Sequence, residues 1–184
     1  ELRALKENTR ATLNKTRKVI FDLKLPEDAN FDLLNGLKDF IINYQEESDI
    51  KVKLNITGSV NGVSADRSKQ IFYIIEETLN NVKSHSLANN VELNLQCNEL
   101  NGLTIDIKDD GGGFDIDQVN QSTRKPGKWG LISMRQRASS LGGSLIINSK
   151  PGEGTEVSIK IPIKEKSPLD FTQGHGWRAR RAEP

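Results

Sequence analysis

The chain is poor in the residues that build most catalytic and metal sites. Its 184 residues include one cysteine, two histidines and one methionine, and only 5% are aromatic. A single cysteine, Cys97, excludes an intramolecular disulfide framework and a thiolate zinc site, and it fits a reducing compartment. Two histidines leave no material for a histidine-rich metal cluster. Apolar runs are only a few residues long, so nothing reads as a bilayer span, and no basic stretch leads into an apolar one as in a signal peptide. Charge of one sign is also lacking. The net charge is +1, and Arg178, Arg180 and Arg181 in the last 18 residues account for it against Asp170 and Glu183. Composition therefore gives no support for nucleic-acid binding. At 35% hydrophobic, the chain is too apolar for disorder but below the globular average, so part of it reads as helical surface or tail.

What is present is organised. Residues 1 to about 25 read as one helix, with Leu2, Thr9, Thr16 and Leu23 repeating at seven and Leu5, Leu13, Val19 and Ile20 widening the stripe. Such a helix packs on another helix or chain, or serves as a solvated connector, and Pro26 ends it. A second helix is expected from Phe31 to Gln45, and a third from Ala65 to Ser86. Alternation of apolar and polar residues predicts strands at Lys51–Thr57, Val91–Cys97, Leu103–Ile107, Ser144–Ser149 and Glu156–Ile161. A glycine-rich loop is expected from Asp110 to Gly127, then a helix over Leu131–Leu141 stopped by Gly142-Gly143. Periodicity stops after Ser167. The tail is native, a partner-binding arm, or a remnant of expression cloning.

Four groups of residues carry chemistry. Glu77, Asn81 and His85 lie four apart on the third helix, so they form one stripe, turning about 40° per step. The apolar stripe Ile71, Ile75, Leu79 and Val82 runs beside it and faces a sheet. A glutamate supplies a proton acceptor, and an asparagine oxygen suits Mg²⁺. Asp109-Asp110-Gly111-Gly112-Gly113-Phe114 follows a strand directly, and its glycines permit close backbone approach to a ligand. A carboxylate there can accept a hydrogen bond from an exocyclic amine such as that of adenine. Gly127-Lys128-Trp129-Gly130-Leu131 opens a helix, where free N–H groups favour phosphate. Gly152-Glu153-Gly154-Thr155 is a turn before the last strand. Each alone has an ordinary reading, as a surface helix, a loop, a loop–helix junction or a hairpin turn.

Their order and separation resemble the N, G1, G2 and terminal Gly-Thr boxes of the GHKL ATPases. Gly130-Leu131-Ile132-Ser133-Met134-Arg135-Gln136-Arg137-Ala138 with Leu141-Gly142-Gly143 is similar to the GLxxMRxRAxxLGG signature of nitrate-sensor-like sensor histidine kinases. Thr16 to Lys24 resembles the end of the second helix of the third HisKA dimerisation type. The resemblance implies an α+β, two-layer sandwich of the Bergerat type, with a mixed, mostly antiparallel sheet preceded by one long helix. It implies ATP and Mg²⁺ as cofactors. Asn81 would ligate Mg²⁺, and Glu77 would assist transfer. His85 would belong to the nucleotide site, and Asp109 would bind adenine with Thr155 nearby. Gly111 and Gly113 would let the loop pass the nucleotide, with Phe114 anchoring the base of a lid over 115–129. Gly130 and Leu131 would form its hinge, and Arg124, Lys125 and Lys128 would contact phosphate.

The implied organisation is a dimerisation-helix fragment at 1–26, a catalytic domain at 27–166 and an irregular tail at 167–184. The implied partners are ATP, a response regulator and a second copy of the parent through the N-terminal helix, with no nucleic acid. The implied location is a cytoplasmic domain. Two departures stand out. Ser84 occupies a position that is usually basic. Neither His85 nor His175 has the context of a phosphoacceptor, so that histidine is expected outside this chain. The alternatives are a non-kinase or degenerate GHKL nucleotide-binding module and an anti-sigma-factor-type serine kinase.

Overall fold

The computed structural model describes residues 31–60, 63–98, 102–121 and 128–163. The expected N-terminal helix and the tail lie outside the described residues. Helix α1 spans Leu33–Ser48, opened by Asp32, whose carboxylate accepts from the Asn35 amide at 2.9 Å, and closed by Asp49 in the left-handed conformation. Strand β1 is Lys51–Thr57. Helix α2, Ala65–His85, is capped by Ser64. Strands β2 (Asn90–Asn98) and β3 (Gly102–Asp109) follow. Then come α3 (Ile116–Gln121), α4 (Lys128–Ser140), β4 (Ser144–Ser149) and β5 (Thr155–Ile161).

The strands form one sheet in the order β1-β2-β3-β5-β4, with β1 and β2 parallel and the other pairs antiparallel. The parallel pair requires a crossover, and α2 supplies it. This is the mixed, mostly antiparallel sheet that the sequence resemblance implied. On its inner face, register aligns Leu54, Leu93, Ile107, Val157 and Ile147 in one row and Ile56, Leu95, Ile105, Ile159 and Leu145 in the next. These rows pack with Leu37, Ile71, Ile75, Leu79 and Met134 from the helices. The row after them changes character. It continues Val52 and Val91 with Asp109, Thr155 and Ser149, so the apolar face ends in polar groups at one end of the sheet.

The outer face is polar throughout its centre. One row reads Lys53, Glu92, Lys108 and Glu156 across four strands, and the next links Asn55 to Asn94 and Ser158 to Asp106 by hydrogen bonds of 2.7 and 2.6 Å. Among the described residues the helices therefore cover one face only.

Three ties hold α2 in place. The Tyr44 hydroxyl of α1 donates to the Leu79 carbonyl at 2.9 Å, and burial pushes its phenol up to about 12. Arg67 donates to the Leu141 and Pro162 carbonyls at 3.1 and 2.6 Å, joining the start of α2 to the far ends of α4 and β5. Lys83 pairs with Glu47 of α1 at 2.9 Å.

Two features differ from the sequence reading. The glycine-rich loop is interrupted by α3, because Asp115 caps it. Its carboxylate accepts from the Gln118 amide at 3.0 Å and from the Gln118 side chain at 3.0 Å. Helix α4 begins at Lys128 rather than Leu131, so Gly130, expected at a loop hinge, sits in the first helical turn.

Candidate functional site

Helix α2 delivers the polar stripe where the spacing of four placed it. Ile71, Ile75, Leu79 and Val82 are buried against the sheet, and Glu77 and Asn81 are half-buried beside them. The Asn81 Nδ2 is fully buried and has no hydrogen-bond partner. A buried amide left unpaired costs roughly 1–3 kcal/mol, so this nitrogen has a hydrogen to offer a ligand or a water. Burial pushes the Glu77 carboxyl up, while the Arg137 charge and the neighbouring Asn81 amide pull it down. By geometry the Asn81 amide nitrogen makes no hydrogen bond, although it stands close enough to the Glu77 carboxylate to favour its charged form. Gly130 closes over both side chains. A β-carbon there would collide with the Glu77 carboxylate and lie 3.5 Å from Asn81 Nδ2. His85 is exposed at the end of the helix.

The glycine loop meets the same helix end. Gly112 donates to the Ser86 carbonyl at 2.7 Å, and Gly152 donates to the Gly112 carbonyl at 2.6 Å. The loop is thus sewn between the α2 terminus and the β4–β5 turn. Gly111 has no room for a side chain, because its β-carbon would strike Ser86. Gly113 combines a φ of 58° with backbone of Lys150 and Gly154 at its α-carbon.

Asp109 is buried at the end of β3, and its carboxylate accepts from the Gly111 amide at 2.9 Å. Burial raises its pKa, and hydrogen bonds from Gly111 and Thr155 oppose the rise. Thr155 stands in register with Asp109, and its hydroxyl lies 3.0 Å from that of Ser149. Ser149 also receives the Phe114 amide at 2.9 Å and donates to the Gly154 carbonyl at 3.0 Å.

The structure therefore gathers Glu77, Asn81 and Gly130 at one place, and Asp109, Gly111, Gly113 and Thr155 at another. The last turn of α2 joins the two. Leu131 is half-buried against the core. Lys128 opens α4, but its side chain lies outside the described residues, as do Arg124 and Lys125. Lys83 points to Glu47 on α1, so it does not stand in for the basic residue replaced by Ser84.

Sequence reasoning missed the roles of three residues. Ser149 is the polar hub of the strand-end row, signalled only by its place in the alternation of β4. Asp110 accepts from the Asn89 and Asn90 amides at 2.8 and 2.9 Å and pins the α2–β2 turn to the glycine loop. Glu76 is buried, and burial first and the adjacent Glu77 second push its carboxyl up to about 7. Its position four after Phe72 and three before Leu79 placed it on the inner side of the helix.

An α+β sandwich whose sheet ends open on a buried aspartate, a glycine loop and an unpaired amide has the layout of a ligand-binding domain. The comparisons with known proteins make the class specific. The chain belongs to the histidine kinase-, DNA gyrase B- and HSP90-like ATPase family, whose model matches residues 66–165. It is 30% identical over 163 residues to the signal transduction histidine-protein kinase/phosphatase DegS of Brevibacillus brevis, covering 89% of this chain and 41% of that protein. It is 30% identical over 150 residues to the sensor histidine kinase LiaS of Bacillus subtilis (strain 168), covering 82% of this chain and 39% of that protein. The fold is similar to the histidine kinase domain of the Erythrobacter litoralis EL346 blue-light activated histidine kinase, with a TM-score of 0.56 at 24% identity over 74% of this chain and 63% of that one. The chain thus spans about two fifths of the length of the curated relatives. Among the described residues, no helix is long and apolar enough to cross a membrane.

Proposed function

We propose that this chain carries the ATP-binding catalytic domain of a sensor histidine kinase, of the nitrate-sensor-like type. The unpaired, buried Asn81 amide beside Glu77 carries the reading, because it asks for a ligand at the spot where the ATPase family handles phosphate. The domain corresponds to 27–166, with 1–26 as part of a dimerisation helix and 167–184 as a tail.

The donor set fits ATP with Mg²⁺. Among the described residues, no group of three or more His, Cys, Asp and Glu could hold a metal by itself. A cation here would therefore rest mainly on phosphate oxygens and water, with Asn81 as its protein ligand. Bound Mg²⁺ would neutralise phosphate charge. Asp109, with Thr155 beside it, takes the adenine amine. Gly111 and Gly113 let the loop run against the nucleotide, and Lys128, Gly130, Leu131 and His85 border the phosphates. An acceptor histidine nitrogen attacks the γ-phosphorus, ADP leaves, and Glu77, its carboxyl raised by burial, takes the imidazole proton. The phosphoryl group then passes to a response-regulator aspartate. The domain is cytoplasmic in a dimeric parent.

A second reading, a nucleotide-gated binding module without transfer, draws on the Lys83–Glu47 pair, which turns the nearest helix cation away from the site stripe.

Thermal-shift titration with ATP and Mg²⁺ tests binding. The parent chain stabilises and Asp109→Asn stabilises less, and no shift in the parent sinks the proposal. Labelling with γ-phosphate tests transfer. Acid-labile, alkali-stable label should appear when the acceptor helix is supplied, and its absence there favours the binding module. Acid-stable label indicates a serine kinase.

A further inference from the structure

The two helices that meet at the site carry matching stripes. On α2, Gln70, Tyr73, Glu77 and Asn81 follow one another three, four and four residues apart, which places them on one face. On α4, Gly130, Met134 and Arg137 do the same at four and three. The stripes dock antiparallel. Arg137 donates from Nη1 to Gln70 Oε1, and its guanidinium carbon lies 4.7 Å from the centre of the Tyr73 ring. The Thr78 hydroxyl, which donates to the Ile74 carbonyl at 2.8 Å, lies 3.2 Å from the Met134 sulfur. Gly130 abuts Glu77 and Asn81.

Only one of these contacts touches the catalytic side chains, and another sits at the opposite end of the same rigid helix. Gly130 and Arg137 are separated by about 10 Å along the axis at 1.5 Å per residue. A guanidinium is planar and forks, so hydrogen bonding at its edge while stacking on a ring fixes its plane and its height together. That fixes the sliding position of α4 along α2.

We propose that Arg137 is a positioning residue. By docking on Gln70 and the Tyr73 ring it sets how closely Gly130 seats on Glu77 and Asn81, and thereby the grip on the nucleotide's phosphates. The inference rests on the ATP-binding reading above. The adenine end, at Asp109 and the glycine loop, is built by β3, β5 and the α2 terminus. The contacts of Gly130 and Arg137 fall on Glu77, Asn81, Gln70 and Tyr73 rather than on that end.

That separation gives the test. Dissociation constants for ATP with Mg²⁺ and for adenosine are measured by titration calorimetry on the full chain, for the parent, R137M, R137K and Q70A. Methionine keeps the apolar stem but removes fork and charge. R137M should weaken ATP about tenfold, or about 1.4 kcal/mol, and leave adenosine within about twofold. R137K, which restores charge without the fork, should recover less than half of that loss on a logarithmic scale. Q70A leaves the cation in place and should weaken ATP about threefold, which keeps the inference open to refutation if R137M folds poorly. Equal losses for both ligands would mean a general structural role and overturn it, as would unchanged ATP affinity in R137M and Q70A. Full recovery in R137K overturns the fork geometry and leaves charge alone. Failure of the parent to bind ATP overturns the functional reading itself, and with it this inference.

Discussion

Asp109 and Asp110 are neighbours in the chain whose carboxyls are driven in opposite directions. Burial lifts Asp109 above the usual carboxylate range, whereas hydrogen bonds from Asn90 and Asn89 hold the exposed Asp110 below it. Asp110 is spent on tying the α2–β2 turn to the glycine loop, and Asp109 is the one proposed to meet the nucleotide. Asp110→Asn should therefore lower the denaturant midpoint at pH 7. The deficit should shrink as pH falls below about 3.8 and through the depressed folded value, because a lowered pKa contributes stability only while the group is ionised. Asp109→Asn should behave oppositely, at least matching the parent's stability at pH 7 while binding ATP more weakly. Urea titrations at pH 3, 5 and 7 measure both.

Glu76 makes the sign of the linkage visible near neutrality. Its carboxyl moves from 4.5 to about 7 on folding. A raised value contributes stability that is full below pH 4.5 and is lost as pH climbs through 7. Glu76→Gln, which cannot ionise, should match the parent at pH 4.5 and exceed it at pH 8.5. At about 1.4 kcal/mol per unit, the gap is at most about 3–4 kcal/mol. Denaturant melts across that range decide it. A constant difference between the two proteins would refute it.

Gly130→Ala separates stability from binding. Alanine favours a helix by about 1 kcal/mol over glycine. The new β-carbon collides with the tip of Glu77, a flexible side chain that can swing aside. Thermal stability should therefore stay within about 1 kcal/mol of the parent. Displacing Glu77 should weaken nucleotide binding and depress transfer by tenfold or more, on the order of 1.4 kcal/mol. Melting curves read beside ATP titrations check both halves.

At Gly113 the neighbour is backbone, which cannot swing aside. Gly113→Ala adds left-handed strain to a collision with the Lys150 and Gly154 carbonyls. The expected loss is on the order of 2–4 kcal/mol, seen in chemical denaturation even without ligand.

The elements that the sequence predicted well were those whose pattern repeats. The alternation in Ser144–Ser149 and Lys51–Thr57 matched the strands residue for residue, because a half-buried strand writes its period directly. The stripe of α2 was equally readable. The short helix α3 was hidden by its glycine-rich surroundings, although Asp115 and Gln118 carried its cap. Of the site, the residues on one helix face could be grouped by spacing. The row of Asp109, Thr155 and Ser149 could not, since strand register across three segments is set by tertiary pairing. Arg137 belongs to a recognisable sequence signature, but its hydrogen-bond partner Gln70 lies 67 residues away and only packing pairs them.

The open face of the sheet has a consequence for how fast a nucleotide arrives. Lys53, Glu92, Lys108 and Glu156 alternate in sign across four strands, so their fields cancel within a strand spacing or two. That row exerts no net pull on a polyanion at distances beyond about one Debye length. This face therefore adds little to the steering of ATP, and neutralising Lys53 and Lys108 together should leave its association rate and the salt dependence of that rate nearly unchanged in stopped-flow measurements.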